Sequence, residues 1–420
     1  MKSFAMCGSV EHQMARRGFL GIMGGAIGLG ATLPQSLTAG LSQQNKQMLV
    51  VFLSGGVSQL ESWDPKPMTN TGGPFRAIPT AVPGIHISEL LPKTARHMDK
   101  LSLIRSINTR NGDHGKGAYQ MQYGRNLMPG LEFPHLGAVT ARSLERTDSP
   151  LPGNIRIPGG GRSRDAAYLG PRFASVGADG KPPANSTRHE SLLSEADQMR
   201  HAFQHRANER FLSMRRTAET DLYTQSYEQA MQLMDRREVF DLAREPEADH
   251  VRYGKHDFGQ HCLMARRMLE NDVPYVQVSH TNYDTHNENF NFHLEQLAEF
   301  DTPFSCLIND LHERGKLSST LVVVMSEFGR TPKINVRYGR DHWGTAWSIC
   351  LGGAGIQPGA VIGKTNDNGT QVIDREVNHG DLFHTYLSAV GLDSSSSFNI
   401  NGRELPLADP AHSPIHELIR

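Results

Sequence analysis

Strand-length runs punctuate this chain at Met48–Leu53, Leu101–Ile107, Tyr275–Ser279 and Thr320–Met325, and two of them hold unbroken apolar stretches, Met48–Leu53 and Leu321–Met325. Such stretches do not alternate, and a strand without a polar side is one covered on both faces. Helical patterns lie between them: Phe258–Asn271 precedes the third run, Asn289–Arg314 the fourth, and Asp381–Val390 closes the series. Strands alternating with helices call for parallel βαβ units, hence an α/β fold with helices on both faces of one sheet. Trp347–Leu351 and Val361-Ile362 are expected to add strands to it, and residues 90–98 and 118–127 to form shorter helices.

Two stretches stand outside this alternation. Residues 150–185 are rich in Gly, Pro and Arg and read as loops or a lid. Residues 189–245 lack periodic breaks and space Phe203, Phe211, Met214, Tyr223, Tyr227, Met231 and Met234 helically, as an amphipathic insertion would. The insertion and loops together span about residues 150–250. At the N-terminus, Arg16-Arg17-Gly18-Phe19-Leu20 precedes a Gly-rich apolar run, Ile22 to Leu33, and small residues to Ala39-Gly40. That order is expected of a twin-arginine export signal over residues 1–40, leaving a mature domain at 41–420 outside the cytoplasm. The apolar run is short for a bilayer span. With 43 basic and 44 acidic residues the net charge is -1, which gives no electrostatic case for nucleic acid. Of four cysteines, Cys7 falls in the leader, and Cys262, Cys306 and Cys350 do not make a disulfide framework.

The chemistry concentrates in three segments: NYDTH (282–286), SEFGRTPKIN (326–335) and GRDHWG (339–344). Asp284 and His286 follow a strand and could share one ion, or Asp284 could cap the next helix. Glu327 stands at the end of the apolar run Leu321–Met325. After the Gly329 turn, Arg330 offers a planar fork to an anion, or braces the loop by pairing with Glu327. Asp341 and His342 are adjacent, so one is expected to bind the ion and the other to support it, with His342 the ligand. Ser58, Glu61 and Asp64 follow the first strand, and Asp113-His114 the second. These donors suit zinc, manganese or calcium. PGAVIGKT (358–365) lacks the first glycine of a phosphate loop.

The segments MLVVFLSGGVSQLESWDPKP, LPKTARHMDKLSLIRSI, DFGQHCLMARRMLENDVPYVQV, YDTH, TLVVVMSEFGRTPKIN and GRDHWGTAW resemble the domain-of-unknown-function 1501 family. This family of exported bacterial proteins is usually placed in the alkaline phosphatase and sulfatase superfamily. The resemblance implies a three-layer αβα sandwich, alkaline phosphatase-like, and a metal-dependent phosphoryl or sulfuryl hydrolase ancestry. Carried over residue by residue, Asp284, His286 and His342 match ligands, and Glu327-Phe328 stands where an Asp-His pair is usual. Ser58 falls at the first-strand ligand, with Glu61 or Asp64 as substitutes, and Thr109 or His114 is the candidate nucleophile. The expectation is one divalent ion, or a vestigial site, held by Asp284, His286, Glu327 and His342. Arg330 would hold the anion of a phosphate or sulfate ester, and His114 would act as acid or base. The substrate expected is a small anionic ester or a sulfated or phosphorylated glycan. The alternative is a non-catalytic member that binds an anionic glycan or an envelope partner.

Overall fold

The computed structural model describes residues 46–420 apart from 145–148, 150, 160–162, 184–185, 187–192, 215–226, 228 and 401. The expected export signal therefore lies outside the described residues. Eight strands form the main sheet: β1 (Gln47–Leu53), β2 (Leu101–Ile107), β3 (Asn154–Ile157), β4 (Val176–Gly177), β5 (Tyr275–His280), β6 (Thr320–Met325), β7 (Trp347–Gly353) and β8 (Val361–Ile362). Their order is β8-β2-β7-β6-β1-β5-β3-β4, so the first strand of the chain lies inside the sheet, between β5 and β6. Every β1 side chain is buried, as its unbroken apolar sequence requires.

Successive side chains of β1 point to opposite faces, and each face has its own core. Leu49, Val51 and Leu53 pack with Cys262, Met264 and Leu297 of helices α3 (Asp257–Glu270) and α4 (Asn289–Glu313). Met48, Val50 and Phe52 pack with Met121 of α1 (His114–Tyr123), Val139 of α2 (Leu136–Leu144) and Leu387 of α5 (His379–Ala389). The result is the expected αβα sandwich. Among the described residues no helix is long and apolar enough to cross a membrane.

The sheet is mixed rather than wholly parallel. β7 runs antiparallel to both β2 and β6, while the other pairings are parallel. The cause is its connection: between β6 and β7 the chain forms no crossover helix, so it re-enters the sheet from the edge at which it left. That excursion holds a two-stranded ribbon, Gly329–Arg330 paired with His342–Trp343. Local boundaries also differ from expectation. The first long helix starts at His114, because the Asp113 side chain accepts the Lys116 N–H, and it ends at Gly124 in the left-handed conformation. Residues 90–98 make only one helical turn, Pro92–Ala95. The insertion contains a helix over Ser194–Met214, but Met199 and Phe203 are about 70% exposed among the described residues, not turned inward as an amphipathic helix would have them.

Candidate metal centre

Four chain segments meet at the carboxyl edge of the parallel strands, where open α/β sheets present ligands. β1 ends in Gly55 and Gly56, β2 leads to His114 at the start of α1, β5 leads to Asp284 and His286, and β6 leads to Glu327. The antiparallel return brings back Asp341 and His342. Gly55 has φ +118, and a side chain there would meet the Asp284 backbone nitrogen at 2.4 Å. This close backbone approach is what lets the first and fifth strands deliver their loops to one place.

One nitrogen of His114, one of His342 and one oxygen of Asp284 lie within 4.8 Å of one another. His342 Nε2 is 3.1 Å from Asp284 Oδ1, and His114 Nε2 is 3.3 Å from Oδ2. His286 adjoins them, its Nε2 lying 2.9 Å from His342 Nε2 and 3.3 Å from Asp284 Oδ1.

The opposite ring nitrogens decide what this means. His342 Nδ1 lies 2.7 Å from the Gly112 carbonyl, which can only accept, so Nδ1 carries the proton. His286 Nδ1 donates to Asp341 Oδ1 at 2.8 Å, and His114 Nδ1 to Glu327 Oε1 at 2.8 Å. With the outer nitrogens so committed, three Nε2 atoms and a carboxylate face one another, a donor set that could hold a cation. Imidazole on the inside with an oxygen acceptor behind each ring is the arrangement that orients metal-binding histidines.

Asp284 is the common element. Partial burial would raise its carboxyl, but the hydrogen bond and charge of Arg330 hold it below the usual carboxylate range. Asp341 is also held below the usual carboxylate range, chiefly by the His286 hydrogen bond. Asp284, His286 and Asp341 are each about half exposed, so the cluster opens to solvent on that side. Imidazole nitrogens with one carboxylate fit zinc or manganese, whereas calcium, with its about six to eight oxygen ligands, fits this donor set poorly.

A family model described as "Protein of unknown function (DUF1501)" matches residues 45–419. The chain belongs to that family. Among curated proteins, none matches this sequence. The DUF1501 chain is similar in structure to a lipoteichoic acid synthase from Listeria monocytogenes, at 7% identity, 90% of this chain, 78% of the other and TM-score 0.42. It is similar also to a sulfatase from Pseudoalteromonas sp., at 11% identity, 86% and 72% coverage and TM-score 0.39. A phosphonate monoester hydrolase from Silicibacter pomeroyi gives 12% identity, 86% and 76% coverage and TM-score 0.40.

Within this DUF1501 fold, Asp284, His286, His342, Asp341 and His114 come together. Glu327 stands one layer back. It is buried, with Oε1 taking the Gly55 N–H and His114 Nδ1–H, and Oε2 taking the Ser326 hydroxyl. His114, expected as an acid or base, faces Asp284 as a ligand would. Arg330 has no free fork for an anion: it is wholly buried and donates to the carbonyls of Gly55, Gly56 and Arg340 and to Asp284 Oδ1. Its partner is thus Asp284, and Glu327 is not among its hydrogen bonds. Asp64 lies elsewhere, paired with Lys66 at 3.0 Å and accepting from Thr365. Thr109 is buried, its hydroxyl directed to the Gly344 carbonyl at 3.4 Å. Sequence reasoning missed the Gly112 carbonyl, which no side-chain pattern could signal, and Arg340 and Asn335, which sit inside quoted motifs without a chemical cue.

Proposed function

We propose that this chain is an exported, metal-dependent hydrolase of phosphate or sulfate esters. His114, Asp284 and His342 would hold a single divalent ion, with His286 adjoining it. The observation that carries the reading is the convergence of three Nε2 atoms on Asp284 while each Nδ1 is committed to an oxygen behind it. The chemistry such an ion supplies when bound is Lewis acidity toward an ester oxygen and toward water. The chain's own residues prepare for that. Glu327, Asp341 and the Gly112 carbonyl keep the ring protons on the outer nitrogens. Arg330 keeps Asp284 ionised and in place, and the half-exposed side leaves room for an anionic ester and water.

Among the described residues, no hydroxyl or thiol hydrogen-bonds to His114, His286 or His342. This favours attack by water over attack by a side chain. The test is to purify the protein from the periplasm, quantify bound metal, and assay aryl phosphate and aryl sulfate esters with and without chelator. About one ion per chain is expected, lost together with turnover in Asp284→Asn and His342→Ala. A protein that carries no ion and never exceeds those variants overturns the enzyme reading. An ion without turnover on either ester class favours the non-catalytic, anionic-glycan-binding alternative.

A further inference from the structure

The loop between Arg330 and His342 carries one side chain that makes four hydrogen bonds. Asn335 Oδ1 accepts the N–H groups of Arg337 and Gly339 at 2.9 and 3.0 Å. Those donors fix which end of the amide is oxygen. Nδ2 therefore points the other way, and it donates to the His286 carbonyl at 2.9 Å and to Asp341 Oδ1 at 3.3 Å. The same Asp341 oxygen takes the His286 Nδ1–H at 2.8 Å. One amide thus closes the turn with its oxygen and ties the turn to both members of the Asp341–His286 pair with its nitrogen.

The surrounding backbone makes this tie rigid. Thr331 N–H donates to the Asp341 carbonyl, and Asp341 N–H donates to the Thr331 hydroxyl, closing the base of the loop. Glu288 N–H and Asn289 N–H donate to the carbonyls of Arg337 and Tyr338, stitching the loop to the start of α4. Gly339 lies against the His286 carbonyl so closely that a side chain would overlap it. Asp341 is more than half exposed, and water competes for its oxygens. Within residues 331–340, Asn335 is the side chain that donates to the Asp341 carboxylate.

We propose that Asn335 is a positioning residue for the metal centre. By holding Asp341 Oδ1 and the His286 backbone together it keeps the His286 proton on Nδ1, and so keeps the Nε2 lone pair aimed at Asp284 and His342. The inference rests on the metal reading above for its consequence, but the tautomer it predicts is a property of the protein without metal. Its effect is second-hand: Asn335 touches neither the ion nor the ester.

Asn335→Asp isolates the claim. The new carboxylate still accepts from Arg337 and Gly339, so the turn is kept, but it offers no N–H to His286 and repels Asp341. The expected results are a zinc affinity, read by competition with a chromogenic chelator, lower by roughly 10- to 100-fold. In the metal-free protein, imidazole nitrogen NMR should show His286 passing from a single Nδ1–H tautomer to a mixture. Asn335→Ser is the second variant: its hydroxyl still offers the turn an acceptor and adds no charge, but it is too short to donate to Asp341. It should lose the single Nδ1–H tautomer and the affinity as Asn335→Asp does, and it keeps the test open if Asn335→Asp does not fold. A His286 tautomer unchanged in either folded variant overturns the proposal. Should the wild-type protein bind no zinc, the metal reading fails, and the tautomer comparison still decides the role of Asn335.

Discussion

Arg340 and Glu61 form a two-point ion pair with no access to water. Arg340 Nη2 donates to Oε1 at 2.8 Å and Nε to Oε2 at 3.1 Å, and both side chains are fully buried. Burial alone would raise the Glu61 carboxyl, but the Arg340 charge and hydrogen bonds leave it below its ordinary value. Asn289 completes the cage, donating to Oε2 at 3.0 Å. The pair fastens the ribbon that carries Asp341 and His342 to the segment after β1. Removing one partner strands a buried charge. Glu61→Ala should cost about 3–5 kcal/mol in urea unfolding, whereas Glu61→Leu with Arg340→Met should recover most of it. Equal losses in the single and paired variants would mean that packing, not charge, dominates there.

Gly55 tests the close approach of β1 to the Asp284 loop. Its φ of +118 disfavours any side chain, and an added Cβ would meet the Tyr283 and Asp284 backbone at 2.4 to 2.8 Å. Gly55→Ala should cost about 2 kcal/mol or more and shift the Asp284 loop away from the three histidines. Thermal unfolding with metal quantification reads both effects. A variant of wild-type stability with a full complement of ion would contradict the geometry.

Acid should destabilise this fold before its carboxylates titrate. His293 is fully buried, accepts the Ser58 N–H at Nε2 and donates from Nδ1 to the Asn289 carbonyl. Burial pushes it down to about 4. His379 is also pushed down to about 4 by burial, with the nearby His412 adding to it. In the unfolded chain both would titrate near 6.5. Between those values the unfolded state binds protons that the folded state refuses, so stability falls as pH drops from about 6.5 toward 4 and is level above 7. The urea midpoint should decline through that window, and less steeply in His293→Asn. A midpoint constant from pH 7 to 4.5 would exclude this coupling.

Export is tested at the N-terminus. If Arg16-Arg17 are read by the twin-arginine machinery, replacing both with lysine should leave the precursor in the cytoplasm, as cell fractionation would report. Secretion at the wild-type level would refute that assignment.

The layered α/β architecture was legible in the sequence because burial on both faces forces unbroken apolar stretches, which β1 and β6 have at Met48–Leu53 and Leu321–Met325, and because strand-like and helical segments alternate. The meeting of NYDTH and SEFGRTPKIN was legible for a related reason: each follows a strand, and parallel strands end at one edge, which GRDHWG reaches because it precedes the antiparallel β7. The reversal of β7 was not, since its apolar pattern is the same in either direction and only the missing crossover helix sets its sense. Nor could spacing assign roles. Glu327 and Arg330 have the chemistry of a ligand and an anion anchor, yet tertiary packing spends the first on His114 and Gly55 and the second on Asp284 and three carbonyls. Residue types determine which groups can coordinate or donate. Which of them are free to do so depends on what already occupies their hydrogen bonds, and those partners come from distant parts of the chain.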